Sequence, residues 1–170
     1  MRTTMGIAVM SAAVLLVGCA SEPALNRDQE VAANQAVGIT VEPSAKGGLV
    51  RLPETVLFDF DKSNLRADAG PVVDRSVVLL SRSDRPIEVN GYTDNVGTRE
   101  YNQHLSEARA EMVADALIQR GIAASRVTTH GFAFDNPVVT NDTAQGRALN
   151  RRTEIVLPGE HLENIMGPQK

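Results

Sequence analysis

Tryptophan is absent from these 170 residues, and cysteine occurs once, at Cys19. A single thiol excludes an intramolecular disulfide and leaves no cysteine set for zinc. Basic runs are missing too, and the net charge of −4 gives a nucleic-acid partner no electrostatic support. No Gly-rich P-loop or dinucleotide fingerprint occurs, so phosphate chemistry lacks its usual cradle. His104, His130 and His161 do not have metal-ligand spacing, and Ser63, Ser76 and Ser106 have no nearby histidine and acid to activate them. The chain is therefore not expected to be an enzyme, and no metal or cofactor is expected. The longest apolar run, Gly6 to Val17, falls short of the ~20 residues that a spanning helix needs.

That run is flanked by Arg2 and closed by Leu16-Val17-Gly18-Cys19, the layout of an export signal over residues 1–18. The tetrapeptide resembles the lipobox of bacterial lipoproteins. The resemblance implies cleavage before Cys19, a diacylglycerol on its thiol and acylation of the new amino terminus, a multi-chain anchor that holds durably. Ala20 and Ser21 follow without the aspartate associated with inner-membrane retention, so the outer membrane is the expected address, with the domain facing the periplasm. Residues 19–52 are rich in small and polar side chains, with Pro23, Pro43, Gly47 and Gly48 as breaks. They read as a flexible tether with a short helix between Arg27 and Ala36. Some thirty extended residues reach ~100 Å.

The globular part is expected over residues 53–158, followed by a mobile tail over 159–170. Val56 to Phe60 is short, apolar and aromatic, and reads as a first strand. Leu65 to Leu80 has helical spacing, with Pro71 tolerated near its start. Ile87 to Tyr92 alternates as a second strand. A helix from about Tyr101 or Asn102 to Arg120 ends at Gly121, a suitable residue to terminate it. Ser125 to Gly131 reads as a third strand, Asn141-Asp142-Thr143 as the cap of a short helix through Leu149, and Arg151 to Leu157 as the last strand. Two β-α units and further strands give an α+β domain: a small mixed sheet with helices on one face.

One arginine stands out. On the Asn102–Arg120 helix, Leu105, Ala108, Met112, Val113, Ala116 and Leu117 share a face, and Arg109 falls inside that apolar arc. A lone buried guanidinium is too costly, so it needs an anion: Asp94, an anionic ligand, or both.

The ordered set of motifs then becomes specific. Phe58-Asp59-Phe60-Asp61-Lys62-Ser63, Gly91-Tyr92-Thr93-Asp94-Asn95-Val96-Gly97, Tyr101-Asn102 with Leu105-Ser106 and Arg109-Ala110, Gly131-Phe132, and Gly146 to Arg152 together resemble the OmpA-like peptidoglycan-binding domain. With the lipobox and tether, the chain looks like a lipoprotein of the peptidoglycan-associated type. The resemblance implies a βαβα-β(α)β two-layer sandwich. It also implies that Asp94 and Arg109 hold the side-arm end of diaminopimelate in a stem peptide. That end carries an ammonium and a carboxylate on one carbon, and so needs an anion and a cation side by side; a guanidinium fork suits the carboxylate. Backbone N–H groups at the start of the Asn102 helix are expected to add donors. By the same motif Asn102 and Leu105 line the pocket, Phe60 and Asp61 wall it, and Arg151 reaches it. Tyr92 stands where the family usually has histidine.

The reading that follows is an outer-membrane lipoprotein tethering that membrane to peptidoglycan. The alternative is a regulatory or scaffold lipoprotein that docks a periplasmic protein partner.

Overall fold

A computed structural model describes residues 25–169. The export signal and Cys19 lie outside the described residues. The strands form one sheet in the order β1 (Thr40–Ser44), β2 (Gly47–Pro53), β5 (Arg152–Pro158), β3 (Ile87–Tyr92), β4 (Val127–Gly131). β3 and β4 are parallel, joined through the long helix α4 (Arg99–Gln119), as a helical crossover requires. The other three pairings are antiparallel, so the sheet is mixed. Helix α3 (Gly70–Leu80) packs beside α4 on the core face, where Val50, Leu52, Ile87, Val89, Ile155 and Leu157 are buried against Val73, Leu80, Val113 and Leu117.

Alternation decides which side of each strand meets that core. Along β5, Ile155 and Leu157 point into it, whereas Arg152, Glu154 and Val156 share the opposite face with Tyr92 and Glu88 of β3. On that opposite face the Arg152 guanidinium lies 3.8 Å over the Tyr92 ring, which stacks on Phe132 at 5.2 Å.

The segment expected to be a tether is built into the domain instead. Helix α1 (Arg27–Gln35) is capped by Asn26, whose side chain accepts from the N–H groups of Asp28 and Gln29. β1 and β2 form a hairpin, and β2 pairs with β5 along its whole length, from Gly47↔Pro158 to Pro53↔Arg152. The reason is apolar content: β2 delivers Val50 and Leu52 to the core. Gly47 marks close approach rather than slackness, since a side chain there would meet the Leu157 carbonyl at 2.3 Å. Pro43 sits on the edge strand, where a missing N–H is tolerated.

Two further expectations are corrected. Val56 to Phe60 is not a strand: Glu54–Leu57 is a single helical turn, α2, followed by one bridge, Phe58↔Leu65. The sheet position beside β5 is already filled by β2, and a turn lets the adjacent Leu57 and Phe58 both enter the core. Nor is the carboxy-terminal stretch loose. Helix α6 (Leu162–Met166) buries Ile165 and Met166, and the Asn34 side-chain amide of α1 donates to the Met166 sulfur at 3.2 Å. The helix through Leu80 starts at Gly70 rather than Leu65. A short helix, α5 (Ala144–Asn150), is capped by Thr143.

Candidate functional site

Helix α4 approaches the sheet closely because two strand positions have no side chain. A Cβ on Gly91 would lie 2.1 Å from the Ser106 carbonyl, and one on Gly131 would lie 2.6 Å from the Glu107 nitrogen and the Ser106 hydroxyl. Ser106 is fully buried there and accepts from the Ala133 N–H. Its neighbours one turn either way, Asn102 and Arg109, are thereby fixed over the carboxyl end of β3.

At that end the chain turns through Thr93 and Asp94. The Asp94 carboxylate accepts from the Val96 N–H at 2.9 Å, and the Asn102 amide donates to the Val96 carbonyl at 2.8 Å, so the turn is tied at both ends. Thr98, not Asn102, caps α4: its hydroxyl accepts from the Tyr101 N–H, and the helix starts at Arg99, two or three residues before the expected Tyr101 or Asn102. The N–H groups of Tyr101 and Asn102 are taken by the Thr98 hydroxyl and carbonyl, so neither of these two is a free donor for a ligand.

Arg109 is 3% exposed and sits on the middle of the buried stripe. Its Nε donates to the Lys62 carbonyl at 2.9 Å, and its guanidinium lies 5.2 Å over the Phe58 ring. Its anion is Glu54, a residue the sequence reading missed. Glu54 follows Pro53 at the first position of α2 and turns inward, where its carboxylate meets both Arg109 and Arg151. Arg151 in turn reaches Asp94 at 2.7 Å, so the order of charges is Arg109, Glu54, Arg151, Asp94. No ion pair joins Asp94 to Arg109 directly among the described residues. The only local signal for Glu54 in the sequence is an acid directly after Pro53, at the start of a helical turn.

Burial pulls the Arg109 guanidinium below its ordinary value, opposed by Glu54. Burial also works against Arg151, but its hydrogen bonds to Asp94 and Glu54 win and raise it. Both stay charged at neutral pH, since an arginine starts so far above it. The pairing leaves donor capacity. Nη2 of Arg109 touches Glu54 without a well-aligned hydrogen bond, and neither Nη1 of Arg109 nor Nη2 of Arg151 has a protein acceptor among the described residues.

All of these groups face one cavity of about 270 Å³. The structure brings all seven sequence-derived residues to it: Phe60, Asp61, Asp94, Asn102, Leu105, Arg109 and Arg151. Glu54, Tyr101 and Arg147 join them. Tyr101 donates its hydroxyl to Asp61, which raises the phenol above its usual range. Arg152 is elsewhere, on the far face of the sheet, as is Tyr92, whose phenol is pushed up to about 12 by burial and by Glu154. The histidine-to-tyrosine departure therefore does not touch the cavity. Chemically the cavity presents alternating fixed charges, an arrangement that can accommodate a small ligand carrying both signs.

Comparisons agree with this architecture. Residues 57–151 match the OmpA family model. The chain is 34% identical to the peptidoglycan-associated lipoprotein of Mesorhizobium japonicum over 149 residues, covering 87% of this chain and 88% of that protein. It is 38% identical to the probable lipoprotein YiaD of Escherichia coli, covering 72% of this chain and 57% of YiaD. Other relatives are longer: the chain spans 40% of Omp38 of Acinetobacter baumannii and 16% of a further relative. A solved structure of the cell wall anchor of the T6SS from Pseudomonas aeruginosa superposes with a TM-score of 0.69 at 31% identity, over 80% of this chain and 99% of that one. With its motifs, its sheet order and a family match over more than half its length, the chain belongs to the OmpA family.

Proposed function

We propose that this protein grips peptidoglycan non-covalently through the side-arm end of diaminopimelate, while a lipid on Cys19 holds it in the outer membrane. Tethering one layer to the other is then its activity. The observation that carries the reading is that the Arg109 and Arg151 guanidiniums line one cavity with the Asp94 carboxylate, each with one terminal nitrogen that has no protein acceptor among the described residues. The ligand carboxylate takes those nitrogens in charge-assisted hydrogen bonds, and the ligand ammonium takes the Asp94 oxygens. Phe60 and Tyr101 stand at the rim, 80% and 46% exposed, and offer aromatic faces to the adjoining stem peptide. The names of relatives support the setting: one is a peptidoglycan-associated lipoprotein, and a structural neighbour is a cell wall anchor.

Co-sedimentation with diaminopimelate-type peptidoglycan tests the reading. The wild-type chain is expected in the pellet, and Arg109→Ala and Asp94→Ala in the supernatant. Undiminished pelleting of both variants, once shown to be folded, rejects the site.

A further inference from the structure

The Glu54 carboxylate is the feature that the binding reading leaves unexplained. It is 6% exposed and sits between two guanidiniums that face the ligand cavity. Arg109 and Arg151 carry like charges at close quarters, and Arg151 works against the Arg109 guanidinium's hold on its proton while Glu54 opposes that loss. Glu54 supplies that anion, and its presence changes the charge of the whole receptor. Three carboxylates, of Glu54, Asp61 and Asp94, and three guanidiniums, of Arg109, Arg147 and Arg151, line the cavity, so it is neutral. Asp61 and Arg147 offset one another, and the ion-paired set within is balanced by itself, Arg109 and Arg151 against Glu54 and Asp94.

We propose that Glu54 sets the ligand class: by bridging Arg109 and Arg151 and cancelling one of their charges, it makes the cavity select a zwitterionic terminus over a singly charged one. This inference rests on the diaminopimelate reading above and deepens it. A zwitterion enters a neutral cavity without leaving net charge behind. An anionic terminus, in which the amine is acylated, leaves one uncompensated negative charge there, and a cationic terminus, in which the carboxylate is an amide, leaves a positive one. Without Glu54 the arginines carry an excess positive charge, and a bare carboxylate becomes the better match. Discrimination then comes from a carboxylate that the ligand need not touch.

The test is calorimetric titration of the full chain in detergent micelles with three probes. These are the tripeptide L-Ala-γ-D-Glu-meso-diaminopimelate, its side-arm N-acetyl derivative and its side-arm carboxamide. The wild-type chain is expected to prefer the unmodified tripeptide to both derivatives. E54Q keeps the size of the side chain and removes the charge, and should shift the ratio of affinities by about tenfold or more toward the N-acetyl derivative. E54D should retain the wild-type order. R147Q makes the opposite change in net charge at a lining residue to which no ligand contact is assigned, and should shift preference toward the carboxamide; it tests the charge rule if E54Q does not fold. Affinity ratios that stay at the wild-type value in the folded variants overturn the proposal. Failure of the wild-type chain to bind the unmodified tripeptide overturns the underlying site reading instead, and so is distinguishable.

Discussion

Glu54 meets Arg151 twice: its backbone N–H donates to the Arg151 carbonyl at 3.2 Å, and its carboxylate receives the Arg151 Nε. The same carboxylate is the counter-ion of Arg109. Truncating it strands a guanidinium that is 3% exposed, so Glu54→Ala should cost about 3 kcal/mol in urea unfolding. The double variant Glu54→Ala with Arg109→Met removes the stranded charge and should recover more than half of that loss. If the double variant is no more stable than the single one, the buried charge is not what Glu54 offsets.

The close approach of α4 to the sheet makes a second prediction. A methyl on Gly91 would have to share space with the Ser106 carbonyl, which is backbone and has no rotamer to give. Gly91→Ala should therefore destabilise by about 3 kcal/mol, while lifting Asn102 and Arg109 away from Asp94 and weakening wall binding. Gly70 at the start of α3 has nothing within 4 Å of the same position, so Gly70→Ala should leave denaturation unchanged or slightly improved. Equal effects at the two glycines would contradict the packing account.

Those glycines also show how the sequence could be read and where it could not. Ile87 to Tyr92, the helix ending at Gly121 and the strand through Leu157 were legible because their periodicity is local, and the structure has them within a few residues. The hairpin β1–β2 was not, because its reason to exist lies about a hundred residues away in β5, and its glycines and proline look like breaks until that partner is placed. Asp94, Asn102, Leu105 and Arg109 were legible because their motif runs along the turn after β3 and into α4, whereas Phe60, Asp61 and Arg151 come from separate motifs. Their pairing was not, since Arg109 is satisfied by a carboxylate from a third element whose only local signal was an acid following Pro53.

Because β2 is structural, a fragment holding only residues 53–158 should not fold. It lacks Val50 and Leu52, leaves the β5 edge unpaired, and loses α6 from above the core. Circular dichroism and gel filtration of that fragment should report an aggregating chain without a cooperative thermal transition. A fragment of residues 25–169 should unfold in one step. A stable, monomeric 53–158 fragment would mean that the hairpin is an accessory layer.

The amino-terminal helix is attached by a clamp that depends on pH. Glu30 of α1 accepts from both Arg75 and Arg82 of the α3 region, and Arg82 also donates to the Ile165 carbonyl of α6. The hydrogen bond from Arg82, helped by Arg75, holds the Glu30 carboxyl below its ordinary value against the opposing effect of burial. A depressed folded value means that the contribution is complete above the unfolded value, near pH 4.5, and is lost as pH falls through the folded one. Protection factors of residues 27–35, measured against the intrinsic exchange rate at each pH, should fall in that acid window in the wild-type chain. Glu30→Gln should show the lowered protection at neutral pH already, with a stability loss of about 1–2 kcal/mol that disappears in acid. Identical pH profiles for the two chains would remove Glu30 as the titrating group.

Phe60 separates stability from binding most cleanly. It is 80% exposed, next to Asp61, whose φ of 62° turns the chain at the cavity rim. An aromatic ring so exposed contributes little to folding, so Phe60→Ala should leave the unfolding free energy within about 0.5 kcal/mol of wild type. Leu57, three residues earlier and fully buried, should cost about 3 kcal/mol on the same truncation. The order reverses for the wall. A ligand in the cavity covers much of the Phe60 ring, and half-burying such a ring is worth roughly 1 kcal/mol, or about a fivefold change in affinity. Phe60→Ala should therefore weaken sedimentation with peptidoglycan several-fold at unchanged stability, and Phe60→Tyr should restore it, because the ring rather than the phenyl edge makes the contact. Full wall binding by Phe60→Ala would confine recognition to the charged floor of the cavity, where Arg109, Glu54, Arg151 and Asp94 alternate.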